Sequence, residues 1–477
     1  MEILKKEKQE SSLVVGIFTD EKPNIASEID EEVAKLIEEK IFSTKLGKVN
    51  KFYPLGKIKN KVVFIIGLGN KKDYNYKRLE KAARGITKSL SSDLVIDAES
   101  FTGNLELKEV LKRLLLTVHY YDYSFDEYKK KKNNKDLTVS FRLKENQDKI
   151  IEEFNNLAVA IKNTGDLVNR PYNDLNAEDL ALYATELAKA LDSDKVSLNI
   201  LDKKAIEALE MNAFLAVNKG SSVEPRLIHL KYQGKEDFKD PIALVGKGVM
   251  YDTGGYSIKS KMNNMKSDMA GAATALGVFE AVVKNNLPIN LQVVIAATDN
   301  RISSDALLPD DIVTAMNGKT IEIVSTDAEG RLTLADALTY AQKEGSKRLI
   351  DIATLTGAVI VALGGYTTGI FGNNKNMTID LINSGCYENE HLWELPITRY
   401  IRKKVKGSKV ADLTNSTGGE AGASSAAAFL SEFVEEGSNW VHLDIAGTAF
   451  HTSPSYKEHY GASGVMVRTL YQYLKTK

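Results

Sequence analysis

The stretch LVGKGVMYDTGGYSIKSKMNNMKSDMAGAA, residues 244–273, decides how this chain folds. It begins as an apolar strand, breaks into a loop with paired glycines, and ends on a helix of small residues. Strand, loop and helix make the repeating unit of an α/β sheet, and ligands of such sheets collect on the loops beyond the strand C-termini. Lys247, Asp252, Lys259 and Asp268 are expected on this loop. They are either ordinary charges of a polar loop or parts of a built site. Gly254 and Gly255 allow positive φ and close backbone approach, which favours the site.

The same alternation extends outward. Expected strands are 195–200, 226–232, 242–246, 290–298, 347–352 and 439–444, with helices at 177–191, 267–285, 331–344 and 424–435. On the N-terminal side SLVVGIF (12–18), KVVFIIGLG (61–69) and DLVID (93–97) read as buried strands between helices near 27–41, 78–90 and 107–118. A helix with one apolar face, built from Ile150, Ile151, Phe154, Leu157, Ala158 and Ile161, follows. Pro171 interrupts the pattern, and Asn176 or Asp174 is placed to cap the next helix. The expected fold is α/β. A smaller N-terminal α/β domain (1–143) is joined by a helix (144–169) to a larger C-terminal α/β domain (170–477) with a central mixed sheet covered by helices. A length of 477 residues suits two or three domains.

Composition narrows the function classes. Lys plus Arg number 63 and Asp plus Glu 64, so net charge makes no case for nucleic acid or an acidic membrane. DEYKKKKNNKD (126–136) reads as a solvated loop rather than a basic binding patch. The lone Cys386 excludes an intrachain disulfide and suits a reducing cytoplasm. No apolar run is long enough for a membrane span, and MEILKKEKQESS (1–12) lacks the apolar core of a secretory signal. His119, His229, His391, His442, His451 and His459 lie outside the charged motifs, and there is no HExxH or cysteine ligand set. Structural roles are expected for these histidines, and any metal would be held mainly by oxygen.

A second stretch, STDAEGRLTLADAL (325–338), sharpens the reading. If TIEIVSTDAEGR (320–331) is extended, Asp327, Glu329 and Arg331 share one side. Neighbouring carboxylates repel, so one takes up a proton or a divalent cation relieves the pair. Asp252 and Asp268 raise the set to four carboxylates, whose charge two divalent cations would match. Paired metals about 3.5–4 Å apart are a recurring hydrolytic device.

These residues resemble the leucine aminopeptidases, or cytosol aminopeptidases, a family of dinuclear-metal exopeptidases. STDAEGRL resembles the family motif NTDAEGRL with one change, Ser325. VGKGVMYDTGGYSIK matches its other core motif. LVNRPYNDL (167–175), MNAFLAVNKGS (211–221), DIATLTGA (351–358), VADLTN (410–415), AAAFLSEF (426–433) and HLDIAGTAF (442–450) follow in order. The resemblance covers about 167–477; the first third is similar only in size and α/β character.

The resemblance implies that residues 170–477 form a metallopeptidase domain removing N-terminal residues, leucine and other apolar ones favoured, from peptides. It implies two divalent ions per subunit, Zn2+ or Mn2+, held by Lys247, Asp252, Asp268, Asp327 and Glu329, with Asp252 and Glu329 bridging. Lys247 would bind through a neutral amine. A metal-bridging water or hydroxide would attack the carbonyl, Lys259 would polarise it, and Arg331 would hold bicarbonate as general base. Met265, Thr354, Leu355 and Gly357 would sit near the first side chain, Leu355 through its backbone; for Met265 plain core packing is the alternative. The family also implies a cytoplasmic homohexamer acting on peptides, with no membrane partner. Some relatives bind DNA, and a binding protein or a Cys-Gly dipeptidase are the other readings, although nucleic acid is not expected as the primary partner here.

The chain departs from the family pattern at several places. The segment between Lys259 and Asp268 is two residues short of it, and Ser260 replaces a proline. DNRI (299–302), LPDD (308–311, with Asp310 for a glycine) and GGEAG (418–422, with Glu420 for a basic residue) differ as well. These changes bear on substrate preference, metal affinity and assembly.

Overall fold

The computed structural model describes residues 2–4, 11–89, 93–132, 137–452 and 460–477. Residues 133–136 of the expected solvated loop, 5–10 of the polar N-terminal stretch, and His459 lie outside the described residues. The chain divides into two compact units, Met1–Val159 and Ala160–Lys477.

The first unit holds strands β1 (Glu2–Leu4), β2 (Ser12–Phe18), β3 (Val49–Phe52), β4 (Val63–Gly69), β5 (Leu94–Asp97) and β6 (Thr138–Arg142) in one sheet of order β1-β6-β5-β2-β4-β3. All pairs are parallel except β3 with β4. Helices α1 (Asp30–Glu38), α2 (Tyr76–Ala83) and α3 (Leu107–Asp122) accompany it. Side chains alternate along β2. Val14 and Phe18 join one apolar cluster with Ile66, Ile96 and Leu114, while Leu13, Val15 and Ile17 join another with Ile29 and Val33. Burial on both faces explains why these strands read as unbroken apolar runs. From β2 the chain adds β4 on one side and then β5 on the other. The strand order therefore reverses between β2 and β5, the kind of place where α/β sheets bind ligands.

Helix α4 (Asp148–Asn169) runs across the division between the units. The second unit holds β7 (Val196–Leu201), β8 (Arg226–Gln233), β9 (Ile242–Asp252), β10 (Asn290–Asn300), β11 (Ile312–Thr314), β12 (Thr320–Glu322), β13 (Arg348–Ala353), β14 (Thr367–Gly372), β15 (His391–Glu394), β16 (Leu413–Thr414), β17 (Asn439–Asp444), β18 (Phe450–His451) and β19 (Gly461–Ala462). Its helices are α5 (Ala177–Leu191), α6 (Lys203–Ala208), α7 (Asn212–Asn218), α8 (Ala270–Lys284), α9 (Gly330–Lys343), α10 (Gly357–Leu363), α11 (Lys375–Tyr387), α12 (Arg399–Val405), α13 (Gly422–Leu430) and α14 (Val467–Lys475).

Eight strands form the main sheet in the order β15-β14-β17-β13-β9-β10-β8-β7. The middle four, β17, β13, β9 and β10, are parallel; β14 against β17, and β8 against both its neighbours, are antiparallel. The sheet is mixed, as expected. The chain leaves β9 for β10 on one side and returns to β13 on the other, so the order reverses again, at β9. Helix α8 packs closely on this centre because its first turn is small. A Cβ on Gly271 would fall 1.9 Å from the Ile352 carbonyl oxygen, and one on Gly246 would fall 2.6 Å from the Ala272 Cα. Helix α9 is buried along most of its length, with Leu332, Leu334 and Leu338 in the core beside Phe214, Phe429 and Trp440.

Asn176, rather than Asp174, caps α5, in a capping box with Asp179. Two local expectations are corrected. Strand β9 continues to Asp252, so Lys247 lies inside a strand rather than on the loop; parallel pairing with β10 persists through a register shift after Thr298. The segment 320–331 is not extended either. Strand β12 stops at Glu322; Ile323 still exchanges backbone bonds with Asp310 and Asp311, and beyond it the Val324 and Ser325 N–H groups turn to the Asn415 side chain. Elements β14, α11, β15 and α14 were not anticipated. The glycines of TTGIFG and the shortness of HLWE weaken their periodic signal.

Candidate metal centre

The C-terminal ends of the middle strands bring the expected residues together. Lys247, on β9, is 2% exposed. Its Nζ lies 2.7 Å from Asp268 and 2.9 Å from Glu329 Oε1, and donates to the Thr354 carbonyl at 3.0 Å. Five residues along, Asp252 ends the strand. Its Oδ1 accepts from the Gly254 N–H and from Asn300 Nδ2, both at 2.9 Å, and its Oδ2 meets Lys259 Nζ at 2.7 Å. Lys259 also meets Asp327 at 2.5 Å. Each lysine thus sits between two carboxylates, and two negative charges remain unbalanced.

Local chain chemistry explains the convergence. Gly254, at φ +85, turns the chain where a Cβ would crowd the Lys259 N–H and Asp327. Thr326 ties the two motif loops together. Its Oγ1 donates to the Gly254 carbonyl and accepts from the Ser257 N–H, both at 2.7 Å. Glu329 is the N-cap of α9, and Gly330 follows because a Cβ there would lie 2.3 Å from Lys247 Cε. Asp268 stands between a single 3-10 turn (Met265–Ser267) and α8, and accepts from Thr354 Oγ1 at 2.8 Å. The shortened segment after Lys259 therefore still delivers Asp268 to Lys247.

Burial and charge oppose each other here. Burial, with Glu329 adding repulsion, raises the Asp252 carboxyl to about 6 despite Lys259 and Lys247. Burial likewise raises Asp268 well above the usual carboxylate range. For Glu329 burial is outweighed by Lys247 and Lys259, which hold it at about 2. Burial opposes the Lys247 ammonium, but Asp268 and Glu329 outweigh it and the amine stays protonated more strongly than a free lysine. Lys247 would have to lose that proton to bind a metal.

The residues fit divalent cations. Oxygens of Asp252, Asp327 and Glu329 lie within 4.8 Å of one another. Glu329 Oε2 is buried and has no hydrogen-bond partner among the described residues, an acceptor left open on a carboxylate whose other oxygen meets Lys247. A donor set of carboxylates and one amine suits a hard or borderline ion. The described histidines are elsewhere. His229 is held by Tyr340 and Gln292, and His442 by Asp351.

Arg331 lies in the first turn of α9 rather than on a strand, and donates from Nη1 to the Asn415 carbonyl at 2.7 Å. Its Nε is buried without a hydrogen-bond partner among the described residues, and burial lowers the guanidinium to about 10. Met265 is half-buried. Leu355 donates its N–H to Asp444 at 3.1 Å, and Gly357 opens α10 with free space beside its Cα. Sequence reading assigned no role to Asn300, Thr326, Asn415 or Asp444. Asn300 and Asp444 both end strands at this edge, a placement that could have singled them out.

A sequence profile of the cytosol aminopeptidase family, catalytic domain, matches residues 162–471, and that of the N-terminal domain of the same family matches residues 14–132. Among solved structures the chain is similar to the bottromycin maturation enzyme BotP. Identity is 27%, the TM-score is 0.86, and the match covers 98% of this chain and 99% of that one. The same protein in complex with Mn matches equally well.

Proposed function

The chain belongs to the cytosol aminopeptidase family and is a metal-dependent aminopeptidase; from that premise we propose that it prefers peptides beginning with leucine and other apolar residues. The observation that carries the reading is the cluster of Asp252, Asp327 and Glu329 oxygens, flanked by Lys247 with Asp268 and by Lys259. Lys247, Asp252, Asp268, Asp327 and Glu329 would hold two divalent ions, Mn2+ or Zn2+. When bound, such ions supply an activated water and neutralise charge developing on the carbonyl.

The chain's own groups do the rest. Lys259, protonated beside Asp252 and Asp327, offers an ammonium to the developing oxyanion. Arg331, anchored by Asn415 with Nε free, presents a cationic edge for a small anion such as bicarbonate. Asp444 holds the 354–357 loop by accepting from Leu355 N–H and Thr356 Oγ1, leaving Gly357 open beside the place of the first side chain. Met265 and Thr354 would border that place. Family resemblance supports a cytoplasmic homohexamer, and Val361, Trp393 and Tyr400 stand exposed on the second unit as residues covered by another subunit would.

Release of free amino acids from Leu-, Met-, Arg- and Cys-Gly peptides, with Mn2+, Zn2+ or chelator, tests this. Metal-dependent release with Leu and Met ahead of Arg is expected. A preference for Arg- or Cys-Gly would overturn the apolar specificity. No release from any peptide by Mn-loaded, folded protein would favour a peptidase restricted to one precursor, the reading suggested by the likeness to a bottromycin maturation enzyme.

A further inference from the structure

The first unit has an open, largely polar cleft of its own. It measures about 460 Å³, within the range of roughly 300–1,000 Å³ usual for small-molecule sites. It lies where the strand order reverses, between the C-terminal ends of β2 and β5. Gly16 to Phe18 come from β2, and Asp97, Glu99 and Ser100 from the end of β5 and the turn after it. Local bonding shapes the wall. Gly16 donates its N–H to Ser100 Oγ at 2.8 Å, and Asp97 Oδ1 accepts the Ser100 N–H at 3.2 Å. Gly103, at φ +54, lets the next loop approach the Phe18 ring, which a Cβ would meet at 2.8 Å.

The charges on this cleft are balanced, three lysines facing three carboxylates. Two pairs are closed among themselves: Lys71 with Glu21 at 2.7 Å, and Lys144 with Glu99 at 3.0 Å. One of each sign is left over. Lys22 has no ion-pair partner among the described residues, and Asp97 has a backbone donor but no cation within salt-bridge distance. Asp97 is half-buried, and desolvation raises its carboxyl above the ordinary range even though Arg142 and Lys144 act on it from beyond salt-bridge distance, so a cation in direct contact would be favoured. Phe18 and Leu107 supply apolar surface between polar groups.

An unpaired anion, an unpaired cation and an apolar wall in one cleft complement a small zwitterion. We propose that this cleft binds a free α-amino acid with an apolar side chain, its ammonium on Asp97, its carboxylate toward Lys22 and its side chain against Phe18 and Leu107. A phosphorylated ligand fits less well, because it would bring net negative charge to a wall that is neutral overall. The site is separate from the carboxylate cluster of the second unit and does not depend on any metal.

Calorimetric titration of L-leucine into the full-length protein tests it. The expected result is one leucine site per chain that Lys22→Gln and Asp97→Asn each abolish, with peptidase turnover within about twofold of the parent. Leucinol and N-acetyl-leucine, each lacking one charge, should bind that site at least about tenfold more weakly. Asp97 helps hold the Ser100 turn; if Asp97→Asn does not fold, Lys22→Gln, at an exposed side chain, decides alone. Unchanged leucine stoichiometry in a folded Lys22→Gln would overturn the proposal. So would binding of AMP or inorganic phosphate that the same variant removes, with leucine binding unaffected. Leucine binding is read directly, so failure of the peptidase reading would not affect the result.

Discussion

The two sheets of this molecule put ligand-sized features at the same topological position and treat charge there in opposite ways. In the first unit, charges around the β2–β5 reversal are balanced in sign, and the lysines and Glu21 there reach solvent while Asp97 and Glu99 are half-buried. In the second, the β9 reversal gathers four carboxylates against two lysines, and Lys247, Asp252 and Glu329 are almost fully buried. Exposed pairs cost little to make and contribute little. Buried, unbalanced charge is expensive, and it persists only where something else compensates it. That contrast teaches where the metal chemistry lies more clearly than the reversal of strand order, which both sheets have.

The sharpest way to break the comparison is Glu329→Gln. It removes one buried charge from the cluster and leaves the shape. Turnover should fall by roughly a thousandfold or more, with weaker metal binding and an unchanged circular dichroism spectrum. Near-normal turnover would mean that the buried excess charge is structural. Gly330→Ala probes the same site by volume alone. The added Cβ collides with Lys247, so the expected cost is about 1–3 kcal/mol of stability together with a loss of activity, read from denaturant midpoints and hydrolysis rates.

A third test concerns a buried carboxylate outside the cluster. Asp336, in α9, accepts the N–H groups of Phe214 and Met316, yet burial without a cation raises it to about 7. The folded state therefore holds a proton that the unfolded chain releases near pH 3.8. Stability from this group is full below that pH and is lost as pH rises toward about 7. Asp336→Asn should flatten the denaturant midpoint across this window; an unchanged slope would assign the pH dependence elsewhere. The smallest effect is expected at an exposed pair of the first unit. Lys57 and Glu32 approach to 2.7 Å with each side chain about half exposed, so Lys57→Ala should shift stability by less than about 1 kcal/mol. A larger shift would show that surface charge on this unit is not the weak term described above.

Much of the fold was legible because burial leaves a periodic mark. Strands covered on both faces, such as β2, β4, β9 and β10, show as apolar runs, and α5 shows its cap in Asn176. Peripheral elements such as β15 and α11 lack that contrast. Part of the site was legible for a different reason. Acids and lysines packed into two short motifs have few structural uses, and their types alone raised the question of a cation.

What the sequence determined by itself was the α/β alternation, the identity of the charged groups and the family they resemble, because these depend on residue type and spacing along the chain. Tertiary structure decided which groups touch. It placed Lys247 inside a strand, turned the backbone beyond β12 to the Asn415 side chain, and paired each lysine with carboxylates up to about 80 residues away in sequence. It alone revealed Asn300, Thr326 and Asp444 as the supports of the site, and Lys22 and Asp97 as charges of the first unit's cleft without a salt-bridge partner among the described residues. Hydrogen bonds and burial depend on distance in space, and a linear order of residues does not contain that distance until the sheets have formed.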